Sequence, residues 1–130
     1  ITDPYVVHHG ALGSFATAYL PDGTDAGEII DRLAAIDGIM LVIDRDEAVQ
    51  RFELPADRIG DIVIVSDENM TIGTSMDRHD LAALKEPLRS HGGLTEQEVP
   101  FIVNRKIDLP AAPTLRNFDA FHFAAIAASR

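Results

Sequence analysis

The sequence predicts an α/β fold. Two continuously apolar runs, "IMLVI" at 39–43 and "IVIV" at 62–65, are too short for helices and show no polar alternation. That is the pattern of strands with both faces covered. Segments with apolar residues at helical spacing lie before and between them, so strand and helix alternate along the chain. A length of 130 residues with 46% hydrophobic and 25% charged content suits one globular domain with a real core.

The elements follow in order. "GSFATAYL" at 13–20 mixes aromatic and small residues and stops at Pro21-Asp22-Gly23, so it reads as a strand ending in a turn. Asp25 caps a helix with Glu28 at its third position. Ile29, Ile30, Leu33 and Ile36 share one face of that helix, and Asp37-Gly38 ends it with a glycine cap. The run 39–43 is then an interior strand, and "DRDEAVQRF" at 44–52 is a short helix opened by Asp44. A loop leads to the second interior strand at 61–67. "MTIGTSMDRHDLAAL" at 70–84 reads as a short strand or turn, then a helical turn started near Asp77 or Asp80 and stopped by Pro87. "VPFIV" at 99–103 reads as a buried strand, and a proline-bearing loop follows at 106–117. "NFDAFHFAAIAAS" is a C-terminal helix whose packing side is Phe118, Phe121 and Ala125.

Composition excludes several classes of function. The chain has no cysteine, which rules out disulfides, thiol nucleophiles and thiolate metal sites, and is compatible with a cytoplasmic protein. The net charge of -10 and the scattered basic residues argue against nucleic acid and anionic membrane as partners. No apolar run approaches the roughly 20 residues of a membrane helix. The chain begins "ITDPYVV" and ends on arginine, which reads as a piece of a longer protein.

Among residues that carry chemistry, His91 stands first because Gly92-Gly93 follow it at once. Neutral imidazole is a good zinc ligand, and glycines allow the positive φ values that aim a side chain. The alternative is a turn histidine with ordinary hydrogen bonds. Glu96 and Glu98 are either orienting partners of the ring or solvated turn carboxylates. His8 and His9 are adjacent, so on an extended chain they point apart and do not grip one ion together. His79-Asp80 looks like a ligand pair but sits in a polar segment expected to be exposed, where aspartate is a helix cap by default. His122, between Phe121 and Phe123, is expected to be a packing histidine. There is no P-loop or dinucleotide fingerprint and no nucleophile elbow. On these residues alone, an enzyme piece and a non-enzymatic α/β binding domain both stand.

The longer phrases narrow the choice. "RSHGGLTEQEVPFIVN" resembles the C-terminal signature of the alkaline phosphatase superfamily, in which a histidine-glycine-glycine precedes a "VPFI" strand. "DPYVVHHGALGSFATAYL", "RFELPADRIGDIVIVSD", "TIGTS", "HDL" and "PLRSHGG" resemble the phosphonoacetate hydrolase family in particular. The likeness runs over roughly 1–105. It implies an alkaline-phosphatase-like core piece with a small α/β cap subdomain, a fragment of a larger fold. The implied organisation is a core-to-cap connection at 1–9, the cap at 10–70 and the return to the catalytic core at 71–130. The implied reaction is hydrolysis of phosphonoacetate to acetate and phosphate, with two zinc ions and a metal-bound threonine nucleophile. His91 matches a zinc ligand. The threonine, the other ligands and the lysines that bind the substrate carboxylate lie upstream, so no catalytic residue is matched here and the fragment alone is expected to be inactive. A small phosphonate is the implied substrate, and the full-length protein is expected to be a homodimer. The same signature also fits nucleotide phosphodiesterases or pyrophosphatases, and cofactor-independent phosphoglycerate mutases.

Overall fold

The computed structural model describes residues 13–75, 79, 91–104, 106–107 and 115–128. The expectations for His8, His9, Asp77, Asp80, Pro87 and most of the proline-bearing loop lie outside the described residues. The chain forms two compact units, 1–97 and 98–130.

The first unit is mixed α/β, as expected. Its elements are β1 (Phe15–Ala18), α1 (Ala26–Ala34), β2 (Ile39–Asp44), α2 (Arg45–Phe52) and β3 (Ile62–Ser66). The three strands form one sheet in the order β1-β3-β2, with both pairings antiparallel. Phe15 and Leu41 both stand opposite Val65, and Thr17 and Ile43 both stand opposite Val63. Because side chains alternate along a strand, Val63 and Val65 project to one face. There they form the core with Ile43, Ala48 and Ile59, and Phe15, Leu41, Val49, Phe52, Leu54 and Leu94 pack around it.

Both helices start where their side chains say. The Asp25 carboxylate accepts from Gly27 N at 2.9 Å and Glu28 N at 3.3 Å, and Asp44 accepts from Glu47 N at 2.8 Å. Each supplies an acceptor to otherwise unpaired first-turn amides. α1 packs on β2 with Ile29, Ile30 and Leu33 half-buried.

The structure corrects two local readings. α1 stops at Ala34 with Ala35 as its cap, so Ile36 falls beyond the helix and is 45% exposed. Gly38, at φ +85, serves the turn into β2 instead of capping the helix. A side chain there would also meet the Met70 thioether. The run 39–43 is also not an interior strand. It lies at the edge of the sheet and leaves Met40 47% exposed. Continuous apolarity selected a strand correctly but did not say how many neighbours it has. Of these three strands β3 is the central one, and Ile62, Val63 and Val65 on it are fully buried.

Packing between β1 and the entry to β3 depends on close approach. Gly60 is buried, and a Cβ there would collide with Thr17 Oγ1 and the Ala18 carbonyl. Its amide donates to Thr17 Oγ1 at 2.6 Å. Next to it, Asp61 pairs with Arg45 at 2.6 Å and accepts from Leu20 N at 2.7 Å, tying the ends of β1, β2 and β3.

The second unit contains α3 (Asp119–Ala128). Its buried residue is Phe123, packed edge-on to Phe101 with ring centres 5.9 Å apart. Phe121 is 80% exposed and Phe118 51%, so the expected packing side is wrong. The expected strand at 99–103 is wrong too. That run is irregular, with Val99 70% and Ile102 88% exposed. Pro100 within it has no N–H to give a ladder. Among the described residues, no helix is long and apolar enough to cross a membrane.

Candidate functional site

His91 begins the turn that its sequence context promised. Gly92 takes φ +89, a conformation that glycine adopts without strain. Gly93 is buried and extended, and a short 3₁₀ turn, Leu94–Glu96, follows. The Glu96 carboxylate reaches back to accept from Gly93 N at 3.2 Å, and Glu96 N donates to the Gly93 carbonyl at 3.1 Å. Leu94 packs against the core cluster. On the other side, Ser14 N donates to the His91 carbonyl at 2.9 Å.

The mount is therefore held at both ends. Within the first unit the anchors are Leu94 and Ser14, the residue just before β1. Glu96, read as an orienting or solvated carboxylate, bonds the backbone of the turn. Glu98 is exposed in the second unit.

The His91 side chain is exposed at a groove of about 600 Å³. Phe15, Phe52, Leu54 and Leu94 give that groove an apolar floor, and Glu96 and Gln97 give it a polar edge. Phe15 and Phe52 meet edge to face with ring centres 5.7 Å apart. Such a surface sets apolar side chains beside an imidazole that is open to a ligand.

The other histidines divide differently. His79 is buried at 8% exposure, against the expectation of an exposed segment. Its Nε2 accepts from Thr74 N at 3.2 Å and lies 3.4 Å from Thr74 Oγ1, while its buried Nδ1 has no partner among the described residues. His122 is exposed beside the Phe123 ring, 5.4 Å between centres, so the packing residue is the phenylalanine.

Among the described residues there is no group of three or more His, Cys, Asp and Glu that could hold a metal. An exposed imidazole on a fixed backbone fits one position of a zinc ion, but a catalytic zinc takes three protein ligands. The described residues do not make the site by themselves. Sequence reading missed Ser14, Phe15, Phe52 and Leu54 as parts of the His91 environment. They lie between 37 and 77 residues from His91 in sequence, and no local pattern links them to it.

No family model matches the chain. It is similar to phosphonoacetate hydrolase of Penicillium oxalicum, with 57% identity over 30 residues, 22% of this chain and 42% of that protein. Two crystal structures of phosphonoacetate hydrolase from Sinorhizobium meliloti 1021, in complex with phosphonoformate and with phosphonoacetate, are 73% identical to it. Each has a TM-score of 0.78 and covers 100% of this chain, which spans 32% of that protein. The fold agrees with a fragment of that structure, and the resemblance read from the sequence is borne out.

Proposed function

From a 73% identity that extends over all 130 residues, we propose that this chain is part of a phosphonoacetate hydrolase. The reaction consumes phosphonoacetate and water and yields acetate and phosphate by cleavage of the carbon–phosphorus bond. The single observation that carries this reading is that identity, shared with a hydrolase whose crystals hold phosphonoacetate and phosphonoformate. Both ligands join a phosphonate to a carboxylate, which defines the substrate class.

In this reading 1–9 connects core to cap, 10–70 is the cap, and 71–130 returns to the core. His91 is one ligand of a zinc ion, and the nucleophilic threonine and remaining ligands lie upstream. Zinc, when bound, supplies positive charge to phosphonate oxygens and to the attacking group. This chain's own part is to hold the His91 ring in place and to keep an apolar wall beside it. The intact enzyme is a homodimer that binds neither nucleic acid nor membrane. The 130-residue chain alone releases no acetate.

The test is the full-length enzyme and its His91→Ala variant, assayed for phosphate release and zinc content. The variant should lose one zinc equivalent and at least about 100-fold in turnover, with its thermal midpoint nearly unchanged. An exposed ring on a surface turn contributes little to stability. Normal turnover and full zinc in His91→Ala would make His91 an ordinary turn residue. Failure of the wild-type enzyme to hydrolyse phosphonoacetate would remove the substrate assignment.

A further inference from the structure

We infer that Gly13 to Phe15, the lead into β1 and its first residue, is a positioning element for His91, so that the cap sheet sets where the ring stands. This rests on the reading of His91 as a metal ligand. The Ser14 peptide is fixed on both sides. Its N–H donates to the His91 carbonyl at 2.9 Å, and its carbonyl accepts from Ser66 N, at the end of the central strand, at 2.9 Å. One residue earlier, Gly13 pairs with Ile72 in both directions, at 2.7 and 3.3 Å. Ser14 itself is only 6% exposed. The His91 carbonyl thus hangs from the rigid centre of the unit.

Glycine spacing carries the second part. A Cβ at Gly93 would lie 3.3 Å from Ser14 Cβ, one at Gly92 3.4 Å from Phe15 Cβ, and one at Gly13 3.4 Å from the His91 carbonyl. Three glycines on two distant stretches of chain keep the two backbones in contact. The Gly-Gly pair after His91 therefore serves close approach as well as turning. With Leu94 and Glu96 holding the far side of the turn, the freedom left to His91 is that of its own side-chain torsions. A ligand held this way loses little conformational entropy when it binds a metal. In the proposed division Ser14 belongs to the cap and His91 to the return segment. Displacing the cap strand then displaces the ligand.

Gly93 gives a clean test. Its backbone is extended, at φ -75, so a side chain there brings no backbone strain and presses only on Ser14 and the 3₁₀ turn. Full-length Gly93→Val, with Gly93→Ala as the milder form, should hold its His91 zinc about 10- to 100-fold more weakly in chelator competition. Hydrogen exchange at the Ser14 amide should quicken in step. Val49→Ala, which thins the same core away from the turn, should lower the thermal midpoint and leave zinc retention unchanged. Zinc retention within twofold of wild type in both Gly93 variants overturns the inference, and so does weakened retention in Val49→Ala at matched stability loss. His91→Ala separates the two readings. If it loses an ion while both Gly93 variants keep theirs, only the positioning role falls. If it keeps every ion, the ligand assignment falls and the inference falls with it.

Discussion

Two apolar runs of nearly equal length have opposite fates in this protein. "IVIVS" at Ile62–Ser66 becomes the central strand, with Val63 and Val65 fully buried. "VPFIV" at 99–103 stays irregular, with Ile102 88% exposed. Hydrophobicity does not separate them, and hydrogen-bonding neighbours do. β3 has β1 on one side and β2 on the other, so its backbone is hydrogen-bonded from both sides, and it packs against α2. In the second run Pro100 removes a donor, and no described strand of its unit pairs with it. An apolar run becomes a strand only where its backbone is satisfied.

The largest expected effect tests the buried run. Val65→Asp would place a carboxylate at a fully buried position between Phe15 and Leu41, with no cation facing it from the strands. It should cost at least about 4 kcal/mol, much of the roughly 5–15 kcal/mol that holds a typical domain. Circular dichroism of the 130-residue chain in urea should show loss of the cooperative transition. A folded, cooperative variant would mean that β3 is not the core of its unit.

An intermediate effect sharpens the same point at the strand's entrance. Gly60→Ala adds a single methyl where Thr17 and the Ala18 carbonyl already touch the backbone. Either β1 moves away from β3 or the Thr17 bond to Gly60 N breaks, so the expected loss is about 1–3 kcal/mol. A urea midpoint equal to wild type would show that the β1–β3 junction has slack.

What could be read from the sequence was local. Asp25 and Asp44 as helix caps, the turn at Gly23 and the strand at 62–65 all follow from chemistry within a few residues. The sheet order was not legible, because apolar runs do not encode which strand takes the edge. The packing side of α3 was not legible either. Alanines and phenylalanines surround that helix, so no stripe singles out Phe123 over Phe121. At the site, His91 stood out because the Gly-Gly pair follows it and because the phrase resembles a family signature. Its partners did not stand out. The bond from Ser14 spans 77 residues of sequence and uses backbone atoms, which leave no mark on residue choice. His79 was misplaced because polar neighbours in sequence do not fix burial in space.

The smallest expected effect is the one that most directly tests the exposed run. Ile102→Ser removes a large apolar side chain, and at a core position such a change would cost several kcal/mol. At 88% exposure there is almost no buried area to lose and no cavity to leave behind. Isoleucine also meets water at this position in both the folded and the unfolded chain, so the transfer term nearly cancels. Nor does the hydroxyl bury a polar group. The urea midpoint of the 130-residue chain should therefore shift by no more than about 0.5 kcal/mol equivalent, with the slope unchanged because no surface is newly exposed. Val99→Ser, at 70% exposure, should behave alike. A loss above about 1 kcal/mol for either would show that the run is covered in solution. The contrast with β3 would then lie in which surface covers each run, and Pro100 would no longer account for it.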